Sequence, residues 1–205
     1  MTTLPPELPP KLPQELPPDF SPSPRRFLFL LASARRGGNT EQLARLAEPS
    51  LPAGAEQRWM HLDDFPLAPF RDLRHDVGRY PVPEGHEAAL ADATLWATDL
   101  VMCAPLYWYS VPTSAKLYLD YWLAWIRVPG MDFRKRMAGR RLWLVSVFSD
   151  EEPRMMEPLI GMMERCAEYM AMEWRGALVG NGSKPGDVQR DAAATAQARD
   201  FFADR

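Results

Sequence analysis

Two short runs of residues carry chemistry. The first, LASARRGGNT at 31–40, gathers two hydroxyls (Ser33, Thr40), one amide (Asn39), two arginines (Arg35, Arg36) and a glycine pair (Gly37, Gly38). Glycines let backbone amides approach an anion closely. A helix beginning at Asn39 would aim its first free N–H groups and its dipole at the same point, and the arginines could add charge-assisted contacts. The run is neither GxxxxGK[ST] nor GxGxxG, so a mononucleotide phosphate fits better than a triphosphate or a dinucleotide pyrophosphate. Taken alone, it reads equally as a turn with Asn39 capping a helix.

The second run, CAPLYWYSVPTSAKLYLD at 103–120, sets Pro105, Leu106, Tyr107, Trp108 and Tyr109 directly after an apolar strand. That strand already supplies core residues. Three successive aromatics beyond it would therefore expose at least one face, and a flat ligand gives that face something to cover. A phosphate site and a ring site together suggest a nucleotide-like cofactor, and the details favour a flavin. Lys116 and Asp120, four apart on the following helix, read as an i,i+4 ion pair and not as a catalytic couple.

The elements that must position these runs follow from periodicity. Residues 27–32 are continuously apolar, as in a strand covered on both faces. A helix over about 39–47 follows, then a strand at 57–62, an irregular proline-containing stretch at 65–83 and a helix at about 84–98. The third strand spans 100–104, and a helix opens at Pro112 and runs to about 127. A fourth strand covers 142–148. Helical periodicity over 153–172 contains Pro158, which either kinks or restarts it. A short strand at 177–179 and a closing helix at 187–204 complete the chain. Five strands alternating with helices predict a doubly wound parallel sheet with helices on both faces. Ligands then bind beyond the carboxyl ends of the strands, where both runs fall.

With 205 residues the chain suits one domain, at 25–205, preceded by a proline-rich tail at 1–24. The tail holds nine of the 21 prolines in a loose LPPE-LPPK-LPQE-LPPD repeat. Missing amide hydrogens leave it polyproline II or disorder, with disorder the expectation. The 24 basic and 27 acidic residues give a net charge of −3, with no basic stripe to suggest nucleic acid. Cys103 and Cys166 read as buried thiols in a reducing compartment, and no apolar run is long enough for a bilayer. A cytoplasmic protein is expected. The three histidines form no metal pattern, and His75 reads as solvated. The methionines at 155, 156, 162, 163, 170 and 172 read as packing on a long helix. The 112–127 helix has more aromatic surface than one sheet face can bury, which points to a homodimer.

At this level the chain resembles the flavodoxin-like NAD(P)H-dependent FMN reductase and quinone reductase family. The first loop of that family reads like GSxRxxGNT, matched by Ala32, Ser33, Arg35, Gly38, Asn39 and Thr40. The second reads like PxYWxSxPxxxKxxxD, matched by Pro105, Tyr107, Trp108, Ser110, Pro112, Lys116 and Asp120. The segment from Ala167 to Asp187 is similar to the late region of these proteins.

The resemblance implies a five-stranded sheet in the order 2-1-3-4-5, a dimer and an FMN cofactor. It implies that Ser33, Arg35, Gly38, Asn39 and Thr40 surround the FMN phosphate. Pro105, Leu106, Tyr107 and Trp108 would border the ring, with Ser149 on its far side. NAD(P)H is then the reductant, and a quinone, nitro or azo compound or free flavin the acceptor, with the flavin and no protein acid or base doing the chemistry. An electron-transfer carrier or a scaffold acting through the tail are the rival readings. Three departures stand out: Ala32 replaces the leading glycine, Asp150, Glu151 and Glu152 replace glycines after the fourth strand, and 69–85 contains no cysteine. The three carboxylates are expected to project into solvent.

Overall fold

The computed structural model describes residues 24–203, so the reading of the proline-rich tail falls outside the described residues. Strand β1 (Arg26–Leu31) is apolar on both faces because both faces are covered. Phe27, Phe29 and Leu31 point to one side, where α1 (Asn39–Ala47) and α6 (Ala192–Ala198) pack. Leu28 and Leu30 point to the other, against α2 (Gly85–Trp96), α3 (Thr113–Trp125), α4 (Phe133–Met137) and α5 (Glu157–Tyr169). Strands β3 (Asp99–Cys103) and β4 (Arg141–Phe148) repeat the same alternation. With edge strands β2 (Glu56–His61) and β5 (Glu173–Asn181) they form one parallel sheet in the order β2-β1-β3-β4-β5, the expected order.

Several boundaries differ from the sequence reading. Strand β5 is nine residues long where 177–179 was expected. Gly176 sits with Arg175 opposite Trp143 in a register irregularity, and pairing continues past it on both sides. The 153–172 helix is a 3-10 turn (Pro153–Met156) followed by α5, in which Pro158 occupies the first turn. Proline lacks an amide that this position does not need, so it restarts the helix without kinking it. The closing helix is likewise split. A 3-10 turn (Asp187–Arg190) precedes α6, and the Asp191 carboxylate accepts from Ala194 N at 3.0 Å as its cap. Helix α4 is too short for its periodicity to register.

The apolar surplus of α3 is divided. Part of it lies under the irregular segment, where the Tyr121 hydroxyl donates to Ala68 O at 3.0 Å and its ring meets Phe70 edge-on. The rest lines a groove of about 430 Å³ between α3 and α5, with Leu119, Leu123, Ile126, Met162 and Tyr169 among its walls. Met156, Met163, Met170 and Met172 are buried in the core. Lys116 and Asp120 form the expected ion pair at 2.5 Å.

At the amino ends of the strands lies a buried carboxylate. Asp99 is 0% exposed. Arg25 grips both of its oxygens, Nε at 3.1 Å on one and a terminal nitrogen on the other. Thr98 Oγ1 donates to it at 2.7 Å and Trp143 Nε1 at 3.0 Å. This knot ties β1, β3 and β4 together at the end of the sheet opposite the two chemistry-bearing loops.

Candidate functional site

Beyond the carboxyl ends of β1, β3, β4 and β5 lies a cleft of about 180 Å³. The α3–α5 groove is larger, but its walls are mostly apolar. The cleft is the site that combines anion donors with a ring wall. Its lining runs through Ser33, Arg35, Gly38, Asn39 and Thr40, then Pro105, Leu106 and Tyr107, then Val147, Phe148 and Ser149, and ends at Gly182 and Ser183. No carboxylate is among them.

The phosphate side is built by the β1–α1 turn. Gly38 is the N-cap residue and brings no side chain to cap the helix, so the leading amides of α1 face the cleft without a carboxylate or hydroxyl spent on them. A β-carbon at Gly38 would sit 3.3 Å from Arg35 O and 3.6 Å from Ser33 Oγ, filling the floor of the turn. Ser33 Oγ accepts from Arg35 N at 3.2 Å, which folds the turn back on itself. Thr40 is buried, and its hydroxyl makes no hydrogen bond with the described residues.

The two arginines have separate tasks. Arg36 forms a two-pronged pair with Asp64, at 3.1 and 2.5 Å, and this hydrogen bonding holds the Asp64 carboxyl below its ordinary range. Arg35 lines the cleft and has no acidic partner among the described residues. One guanidinium is therefore free for a ligand anion, whereas the other latches the turn to the segment after β2.

Asn39 lines the cleft, and its side chain also has partners of its own. Its Nδ2 donates to Lys184 O at 2.9 Å and its Oδ1 accepts from Gly186 N at 2.9 Å. Both ends of the amide thus engage the loop after β5, so Asn39 shapes the cleft through that loop while its second Nδ2 hydrogen and its backbone N–H stay available to an anion. Asn39→Ala is expected to lower the melting temperature by a few degrees and to weaken ligand retention, since two partly buried hydrogen bonds are lost at about 1 kcal/mol each. Thermal melting of the variant checks this, and an unchanged midpoint would remove the clasp.

On the ring side, pairing of β3 with β4 continues past the strand end. Ala104 N donates to Val145 O at 3.0 Å and Leu106 N to Val147 O at 3.0 Å, which sets Pro105–Tyr107 as one wall. Val147 and Phe148 form the apolar floor, and Gly182 N, bonded to Phe148 O at 2.9 Å, brings the β5 loop alongside. At Gly182 a β-carbon would lie 2.9 Å from Val188 N, so only glycine fits that close approach. The sequence reading missed Val147, Phe148, Gly182 and Ser183. Gly182, in the NGSKPGD stretch, was the detectable one, as a glycine just past a strand.

Trp108 is not part of the lining. Its side chain is 94% exposed, one residue beyond Tyr107. Asp150 and Glu151 are exposed, and none of the 150–152 carboxylates lines the cleft. Glu152 accepts from Arg154, which keeps its carboxyl below the usual range. His75 is exposed, and no group of three or more metal-ligating side chains occurs among the described residues.

The donor set fits a phosphate monoester: uncapped helix amides, two hydroxyls, one unpaired guanidinium and no opposing carboxylate. The adjoining wall of Pro105, Leu106 and Tyr107 fits a flat ring.

Comparison with known proteins places these features in a family. The profile of the flavodoxin-like fold family matches residues 25–203. A protein of Bacillus subtilis (strain 168), provisionally named NAD(P)H-dependent FMN-containing oxidoreductase YwqN, is 31% identical over 166 residues, covering 80% of this chain and 89% of the relative. Among solved structures, the Trp repressor binding protein from Bacillus subtilis superposes with a TM-score of 0.68 at 25% identity, covering 87% of this chain and 98% of that one. The NAD(P)H:quinone oxidoreductase from Methanothermobacter marburgensis shares the fold, with a TM-score of 0.64 at 16% identity over 86% of this chain and 94% of its own.

Proposed function

The chain belongs to the flavodoxin-like fold family, and on that premise we propose that it is an FMN-dependent NAD(P)H oxidoreductase acting on a quinone-, nitro- or azo-type acceptor or on free flavin. The observation that carries this reading is the carboxylate-free cleft in which phosphate donors and a ring wall meet. The 31%-identical relative, named for FMN and NAD(P)H, supports the same cofactor and reductant.

When bound, FMN supplies the two-electron chemistry that links a nicotinamide donor to the acceptor. The chain's own residues bind and orient. Arg35, Ser33, Thr40 and the α1 amides hold the phosphate, and their charge and dipole favour its dianion. Pro105, Leu106 and Tyr107 form one wall for the ring, with Ser149 at the far side. Val147 and Phe148 keep water from the floor. Asn39 and Gly182 hold the β5 loop against it, and Arg36 with Asp64 steadies the phosphate turn from outside. No acid or base in the cleft is assigned a proton-transfer role.

The α3–α5 groove is read as the contact face of a homodimer, because its exposed apolar walls need a cover of similar character. Both cysteines are free, which supports a cytoplasmic setting. No helix among the described residues is long and apolar enough to cross a membrane.

The test is a visible spectrum after FMN loading and desalting, followed by anaerobic addition of NADPH and, separately, NADH. Bands near ~375 and ~450 nm that survive desalting and then bleach are expected for a bound, nicotinamide-reducible flavin. Bands that survive but do not bleach would favour an electron carrier. Loss of flavin on desalting would overturn the reading.

A further inference from the structure

We propose that the leucine-proline repeat at residues 4–19 docks, on its own chain, in a groove between α2 and the loop after α3. The groove holds about 360 Å³ and shares no lining residue with the cofactor cleft or the α3–α5 groove. Its walls are apolar, with Val82, Ala88, Ala91 and Leu95 on one side and Val128 and Met131 on the other. Val82 is 69% exposed, so the groove is open to an occupant. The chain enters the described fold beside it. Arg26 places its guanidinium 5.9 Å from the Trp96 ring, and Thr98 N donates to Arg26 O at 2.9 Å. Leu95 of the groove wall is next in sequence to Trp96. From there the wall follows α2 to Ala88, about 10 Å along the helix axis. Leu16, the last leucine of the repeat, lies eight residues before Pro24, a reach of up to about 25 Å for an extended proline-rich chain.

Charge selects the repeat as the occupant. Helix α4 presents Arg134, Lys135 and Arg136, all exposed, and Arg136 lines the groove. Neither Lys135 nor Arg136 has an acidic partner among the described residues. Arg140, close by, donates to Thr94 O, Leu95 O and Ala97 O at 3.0, 2.7 and 2.6 Å. Burial, and then the neighbouring charges of Arg136 and Arg26, lower the Arg140 pKa, which marks an excess of positive charge here. The repeat carries Glu7, Glu15 and Asp19 against one Lys11, and a leucine at every fourth position, 4, 8, 12 and 16. Leucines gain by leaving water for the apolar walls, the carboxylates meet the α4 cations, and Lys11 suits Asp92 on the groove lining. Prolines cost little conformational freedom on docking and bring no amide N–H that an apolar wall would leave unpaired. A second copy of the folded domain needs a broad face, whereas this groove has room for a few side chains.

The experiment treats the full chain with a carbodiimide, which joins a lysine amine to a carboxylate in contact with it, and reads the joined peptides by mass spectrometry. The chain has four lysines, Lys11, Lys116, Lys135 and Lys184, so each link has few origins. Lys135 is expected to join Glu7, Glu15 or Asp19 about tenfold more often than Lys116 or Lys184 does. Changing all four repeat leucines to serine should lower that yield about tenfold, since the apolar burial is lost. Arg136→Glu keeps Lys135 as the reporter and reverses a groove charge, so it should lower the yield about threefold, and added salt should lower the wild-type yield. Thermal melting confirms that each variant is folded. Unlabelled and ¹⁵N-labelled chains are then mixed, with subunit exchange verified by native mass spectrometry, and the expected links join peptides of the same label. Links between a light and a heavy peptide would place the repeat on a second copy and overturn docking on its own chain. Equal linking to Lys116, Lys135 and Lys184, no link to Lys135, or a Lys135 link unchanged by the leucine substitutions would each overturn the groove as the docking site.

Discussion

Asp99→Ala is expected to destabilise the fold by about 3–5 kcal/mol, the usual cost of removing one partner from a buried ion pair. The carboxylate is 0% exposed and receives Arg25, Thr98 and Trp143. Removing it takes away the acceptor that a mostly buried guanidinium and an indole N–H share, in low-dielectric surroundings that return little hydration. For a domain of this size the loss corresponds to a melting-temperature drop of roughly 10 °C. Asp99→Asn keeps the shape and part of the hydrogen bonding, so its loss should be smaller. The knot sits at the amino ends of the strands and the cleft beyond their carboxyl ends, so FMN affinity measured below the transition should be nearly unchanged. A drop under about 3 °C would mean that water replaces the carboxylate freely.

The second large effect falls on the phosphate turn. Arg35→Ala is expected to weaken FMN binding by about 10–100-fold, the value of a hydrogen bond to a charged group. Arg36→Ala should stay within about threefold, because Arg36 is already engaged with Asp64 on the exposed side of the turn. The contrast is the informative quantity, since the two arginines are neighbours with the same charge. Riboflavin, which lacks the phosphate, should bind both variants as it binds the wild type. The Arg35 effect should also shrink as salt rises. Equal losses for the two arginines would show that net charge near the cleft, and not a placed guanidinium, holds the ligand. Fluorescence titration at two ionic strengths separates these outcomes.

Most of the strands and the loops of the site were legible because their signals are local. Residues 27–31 are apolar without interruption, and residues 33–40 concentrate donors at a strand-to-helix turn, both readable within a dozen positions. Elements were misjudged where a local signal had a non-local answer. The fifth strand was expected at 177–179, but the neighbouring β4 carries its pairing back across Gly176 to Glu173. Pro158 left a kink and a restart open until the preceding 3-10 turn decided between them. The surplus apolar surface of α3 was recognised correctly as a surplus, yet part of it is covered by the irregular segment that reaches it through Ala68 and Phe70.

Residue chemistry and order along the chain were enough to determine the fold class and to nominate the strand ends as the place of a candidate site. Those properties depend on side-chain type and on periods of two and 3.6 residues, which sequence displays directly. The division of labour within the site was decided only by tertiary structure. Asn39 is joined to residues 184 and 186, and Arg36 to Asp64, while Arg35 remains open to the cleft. Trp108, equal to its aromatic neighbours in sequence, is turned outward by two positive φ angles. Each of these outcomes is a competition among partners for one hydrogen-bonding or packing position. Separation along the chain says nothing about who wins it, because only the folded sheet brings the competitors within reach.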